Sequence, residues 1–280
     1  MTHNGLPIYK SREEKSTRNV TKIRGGWILE FDPFFRYHAF TLLKSSTKLP
    51  AGSFFVQVTM EYLPLLPILL LSVILHEISH GWMALRLGDP TARDLGRLTL
   101  NPIPHIDPVG SILIPLLSLF AAGTVFIAWA KPVPINPANF KKYRRDDILV
   151  SVVGPLSNLL IALFCAVAYG TILSITGSVN TMPDGSERDV VLFVLKMFSF
   201  GITMNIFLAV FNLIPVPPLD GSHVVASLLP PRLGAQYRRI GFAGIILILL
   251  AMRVPLIRDG IVSLVRAIEI PYEFIIHLLS

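Results

Sequence analysis

Charge is what this sequence has least of: 15% of its 280 residues are Asp, Glu, Lys or Arg, where a soluble globular domain carries about a quarter. With 52% hydrophobic residues and a mean hydropathy of +0.60, that shortage argues against an ordinary soluble enzyme and for a membrane protein. Cysteine is nearly absent too. Cys165 is the only one, so no intrachain disulfide can form, and its apolar surroundings suit a small buried side chain. The first sixty residues lack the short apolar core of a cleavable signal peptide. An internal repeat is missing as well, which counts against a repeat-built transporter.

Long apolar runs are what the chain has instead. Segments 63–87, 109–130, 148–175 and 190–214 each reach the length of about 20 residues that a spanning helix needs, and 240–257 and 261–279 are weaker candidates. The expected fold is therefore all-α, a polytopic membrane protein with about 4–6 transmembrane helices. Pro-rich breaks at Asn101-Pro102-Ile103-Pro104, Lys131-Pro132-Val133-Pro134 and Ile214-Pro215-Val216-Pro217-Pro218 interrupt it. Irregular backbone at membrane depth is tolerated only beside protein or a wet cavity, so these breaks predict an internal cavity.

Two regions are expected. Residues 1–60 form a hydrophilic basic N-terminal segment with nine Lys/Arg against four Asp/Glu, and residues 61–280 a membrane-embedded domain. The net charge of +7 is clustered. Lys131, Lys141, Lys142, Arg144 and Arg145 mark one loop as cytoplasmic, and Asp184, Glu187 and Asp189 with only Arg188 mark the next as external. Nucleic-acid binding is the poorer account of that charge.

The strongest chemical signal is His76-Glu77-Ile78-Ser79-His80, at the end of an apolar run. Residues four apart share one helix face, so both imidazoles can reach one metal ion. Glu77 stands beside the first of them and can act as general base on a water. Adjacent ionisable groups inside a span are costly and imply function; a satisfied polar patch between helices is the competing reading. A catalytic zinc site uses three protein ligands. Asp220, after the proline break, is the acidic candidate, and its plain alternative is a helix N-cap.

Taken together, these residues resemble the site-2 protease family of intramembrane zinc metalloproteases over most of residues 63–228. The family pairs a His-Glu-x-x-His helix with Asn-x-x-Pro-x-Pro-x-Leu-Asp-Gly, matched here from Asn212 to Gly221, and has a Gly-x-x-x-Asn element matched by Gly154 to Asn158. Two stretches, Arg97 to Pro108 and Ala128 to Pro134, look like a subgroup of small bacterial members. The resemblance implies one zinc ion held by His76, His80 and Asp220, Glu77 as the catalytic base, and Asn212 as a polar residue near the site.

Asn158 is a candidate donor to substrate or to a reaction oxyanion, with a helix–helix hydrogen bond as its alternative. His105 and His223 are candidates to support the ligands from behind, with loop orientation and plain packing as theirs. The implied activity is hydrolysis of peptide bonds in transmembrane protein substrates, within a bacterial cell (inner) membrane and without a PDZ-like domain. The substrate helix must unwind, and the breaks at 131–137 and 214–218 offer extended chain to pair with it. The competing classes are a metal-ion transporter and an inactive scaffold of the same fold. Topology stays open: the charge pattern favours 109–130 crossing the membrane, and the resemblance favours a re-entrant hairpin there.

Overall fold

The computed structural model describes residues 65–113, 129–177, 179, 182–241 and 243–280. The N-terminal segment 1–60 and most of the 109–130 run therefore lie outside the described residues. Among those described, every regular element is helical. Helix α1 (Leu65–Arg86) opens with a leucine-rich run of good helix formers. Its 22 residues span about 33 Å at 1.5 Å per residue, close to the hydrocarbon thickness of a bilayer. It stops where Gly88 takes φ +110. Asp89 N then donates to Ala84 O at 2.9 Å and Gly88 N to Leu85 O at 3.2 Å, which satisfies two of the last four carbonyls of α1.

A one-turn helix α2 (Thr91–Asp94) and two short helical turns, Ile103–His105 and Pro108–Leu113, lead away from it. Residues 129–136 carry no regular structure and form an extended strap before the turn Pro137–Asn139. Helix α3 (Tyr143–Thr176) is the longest element. Its N-terminus is held by Asp146, which accepts from Lys142 N at 2.8 Å. Helix α4 (Ser186–Asn212) begins with Glu187 and Asp189 in its first turn, where carboxylates oppose the positive end of the helix dipole. Prolines after Leu213 end it, since they lack the amide a helix needs. Short helices α5 (Asp220–Leu228), α6 (Pro231–Arg238) and α7 (Ala243–Ala251) follow, and α8 (Pro255–Leu279) closes the chain.

Three of these helices, α1, α3 and α4, are long and apolar enough to cross a membrane, or up to four if α6 and α7 count as one bent span. The expected 261–279 run lies inside α8, which also carries Arg258, Asp259, Arg266, Glu269 and Glu273. At the centre of the bundle, α3 packs against α1, α4, α5 and α8. Ile68, Ala162, Cys165, Ala166, Ile202, Ile206, Val210, Val265 and Ile276 form the core. Small residues let the helices approach closely. A Cβ on Gly201 would sit 2.6 Å from Cys165 Sγ and 2.9 Å from Ile68. The opposite faces expose Leu66, Leu70, Leu156, Leu160 and Phe164, an apolar exterior suited to lipid.

Candidate metal centre

Helical spacing places His76 and His80 on one face of α1. Their Nε2 atoms lie 3.1 Å apart, with the rings nearly perpendicular at 86°. Asp220, the first residue of α5, brings its Oδ2 to 3.3 Å from both Nε2 atoms. The loop from α4 can deliver it because Gly221 has no side chain. A Cβ there would lie 2.2 Å from Leu213 O at the end of α4.

The triangle fits a metal ion. Ligands about 2.0–2.1 Å from a tetrahedral zinc sit about 3.3 Å from one another, which matches edges of 3.1, 3.3 and 3.3 Å. The hydrogen-bond pattern points the same way. His76 Nδ1 faces Asn158 Oδ1 at 3.2 Å, and His80 Nδ1 faces Val150 O at 2.7 Å. Both partners are acceptors, so each Nδ1 carries the hydrogen and each Nε2 presents a lone pair inward. Asp220 Oδ2 is buried and receives no hydrogen bond. Three lone-pair donors facing one another repel unless a cation lies between them. This is the group of His, Cys, Asp and Glu side chains among the described residues that could hold a metal.

One face of α3 supplies the backing. Val150, Gly154 and Asn158 follow at intervals of four, opposite His76 and His80 on α1. Gly154 is packed so tightly that a Cβ would meet His80 Nε2 at 2.3 Å and His76 Cε1 at 2.8 Å. Asn158 is completely buried; its Oδ1 serves His76 and its Nδ2 has no partner.

Glu77 points toward the strap. Its Oε2 accepts from Val133 N at 2.8 Å. The strap is pinned on both sides of that contact. Arg97 Nη2 donates to Lys131 O at 2.8 Å and to Pro132 O at 3.2 Å, and Lys131 N donates to His105 O at 2.9 Å. At the far end the buried Asp89 accepts from Asn136 N and Asn139 Nδ2, each at 2.7 Å, and from Thr91. Burial pushes the Asp89 carboxyl up, and the hydrogen bonds from Thr91, Asn139 and Asn136 outweigh it, so it is held below the usual carboxylate range.

The remaining sequence candidates fall elsewhere. His105 is buried with Nε2 3.0 Å from Thr99 O, and its contacts are to the strap and its own loop. His223 faces Asp147 and Arg238. Asn212 Nδ2 donates to Leu208 O at 3.0 Å within its own helix. Sequence reasoning overlooked Arg97, Asp89 and the Val150 carbonyl. The polar run Gly88–Arg97 that carries the first two gives no sign of which of its charges are buried, and a main-chain carbonyl carries no signal either.

The model of peptidase family M50 matches residues 64–252. YwhC of Bacillus subtilis strain 168, named as a candidate zinc metalloprotease, is 37% identical over 209 residues, covering 72% of this chain and 86% of its own. Rip2 of Mycolicibacterium smegmatis, also named as a candidate zinc metalloprotease, is 28% identical over 188 residues, 65% of this chain and 64% of that protein. No solved structure matches. With a family match over well over half its length, a close relative covered almost end to end, and a donor set suited to the zinc these relatives are named for, the chain belongs to peptidase family M50, the site-2 proteases.

Proposed function

We propose that this protein is an intramembrane endopeptidase that cleaves membrane-embedded protein substrates at the His76, His80 and Asp220 centre, with Glu77 as general base. The observation that carries the reading is the set of three inward-facing lone pairs with Glu77 next to the first of them on the same helix. His76, His80 and Asp220 would hold the ion. Zinc, when bound, supplies Lewis acidity toward a peptide carbonyl and makes water acidic enough to lose a proton near neutral pH.

The protein's own groups do the rest. Asn158 Oδ1 and Val150 O hold the two imidazoles in the tautomer that leaves Nε2 free. Glu77 is anchored through Oε2 by the Val133 amide, which leaves Oε1 to accept a proton from water and return it to the departing amine. Asn158 Nδ2, buried and unpaired, is a donor available to a substrate carbonyl. Asn212, bonded to Leu208 O within its own helix, has no part in this reading. The extended strap offers main-chain groups to an unwound substrate segment.

Glu77→Gln tests the reading. The variant should bind zinc with wild-type stoichiometry and lose cleavage of a membrane-bound substrate by about 100- to 10,000-fold, the usual worth of a general base. Undiminished cleavage with Gln at position 77 would end the mechanism.

A further inference from the structure

The ligand Asp220 sits on the least anchored element of the centre. Helix α5 has nine residues and crosses nothing, so its register against α1 depends on its neighbours, α3 and α6. A polar cluster outside the metal centre joins those three helices. Asp147, in the first turns of α3, is 5% exposed. Its Oδ2 accepts from Ser227 Oγ of α5 at 2.5 Å and from Arg238 Nη2 of α6 at 3.0 Å. Its Oδ1 faces His223 Nδ1 of α5 at 3.6 Å. Arg238 Nη2 also donates to Ser227 Oγ at 3.2 Å, Nη1 lies 3.3 Å from His223 Nδ1, and the guanidinium lies over the Tyr143 ring at 5.7 Å. Close backbone contact tightens the junction, since a Cβ on Gly234 of α6 would lie 2.5 Å from Ala226 O of α5.

The position of Asp147 gives the cluster its meaning. Asp147 occupies the same face of α3 as Val150, Gly154 and Asn158, the residues packed behind His76 and His80. One helix therefore references all three ligands: it orients two imidazoles directly and holds the carboxylate of the third through α5. We propose that the Asp147–Arg238 pair, with Ser227, is a latch that fixes the place of Asp220 at the metal centre, which makes Asp147 and Arg238 positioning residues. The proposal rests on the reading of His76, His80 and Asp220 as zinc ligands. The latch acts through the register of α5.

The test uses the full chain purified in detergent, with zinc affinity from chelator competition and the visible spectrum of the Co²⁺-loaded protein. Arg238→Met removes the charge and keeps the stem. It should weaken zinc binding about 10- to 100-fold, the range for groups that hold a ligand from behind, and change the Co²⁺ spectrum. Arg238→Lys should recover part of both. Asp220→Ala is the reference and should weaken zinc at least as much. If Asp220→Ala loses zinc while Arg238→Met binds it with wild-type affinity and an unchanged Co²⁺ spectrum, the latch is wrong and the ligand assignment stands. If Asp220→Ala binds zinc normally, the ligand assignment beneath the latch fails. Should Arg238→Met fail to fold, Ser227→Ala decides: a smaller loss of zinc affinity supports the latch, and an unchanged affinity overturns it.

Discussion

Replacing Gly154 by Ala sets two effects of opposite sign against each other. Within a helix, alanine is favoured over glycine by about 1 kcal/mol, so on α3 alone the change is stabilising. At this position the added methyl would lie 2.3 Å from His80 Nε2, 2.4 Å from His80 Cε1 and 2.8 Å from His76 Cε1. An ordinary contact needs about 3.4 Å or more, so His80 or α3 must retreat by about 1.1 Å. Zinc–ligand distances tolerate about 0.2 Å. Moving His80 pulls its Nε2 out of the ligand triangle. Moving α3 stretches the His80–Val150 and His76–Asn158 hydrogen bonds and opens the tight packing around Ala162, Cys165 and Ala166. Either route displaces a ligand by more than a metal site accepts, and a 1 Å misplacement costs about 100-fold in rate. The expected variant binds zinc weakly and cleaves at least about 100-fold more slowly. Stoichiometric zinc with wild-type affinity and full cleavage would refute the clearance argument.

Asn158→Ala removes the acceptor that holds His76 Nδ1 and should weaken zinc binding about 10- to 100-fold; Asn158→Asp, which keeps an acceptor oxygen, should recover much of it. Chelator competition measures both, and an alanine variant with unchanged affinity counts against the orienting role. For Asp89 the sign follows from its lowered pKa. A carboxyl depressed by folding contributes stability that is fully present above its unfolded value of about 3.9 and is lost as pH falls through the folded value. The difference in thermal stability between wild type and Asp89→Asn should therefore be constant above about pH 5 and shrink as the solution is acidified below about pH 4. A difference that persists unchanged into strong acid would show that the Asp89 charge does not hold the strap.

Hydropathy located the spans well because lipid exposure is the property it measures. The apolar run 148–175 corresponds to α3, and 190–214 to α4. It placed the start of α3 five residues late, since Arg144, Arg145, Asp146 and Asp147 are helical without being apolar. The run 240–257 read as a single span, whereas α7 covers only Ala243–Ala251 of it and the chain turns at 252–254 before α8 begins at Pro255. The His-Glu-x-x-His spacing made the shared face of His76 and His80 legible, because periodicity is local. The surroundings of that face were not legible. His223 lies three residues beyond Asp220, which suggested a place near the metal, yet its ring meets Asp147 and Arg238. The strap contact to Glu77 is made by a main-chain amide, to which the side chain of Val133 gives no clue.

The same distinction explains what the Gly-x-x-x-Asn element does. Read along the chain, Gly154 and Asn158 are a glycine and an amide one turn apart, a common helix-packing pattern. Read across the bundle, they continue a face that begins at Asp147 and passes through Val150. On that face Asn158 bonds His76, Val150 bonds His80, Gly154 gives both rings room, and Asp147 accepts from Ser227 on the helix that bears Asp220. Ionisable groups are costly inside a membrane and are kept where they pair with one another or bind an ion. In a chain with so few charges, α3 places its polar positions where two imidazoles and a carboxylate from distant segments must converge. The groups that orient both imidazoles and meet the helix bearing Asp220 therefore lie on a helix that contributes none of the three itself.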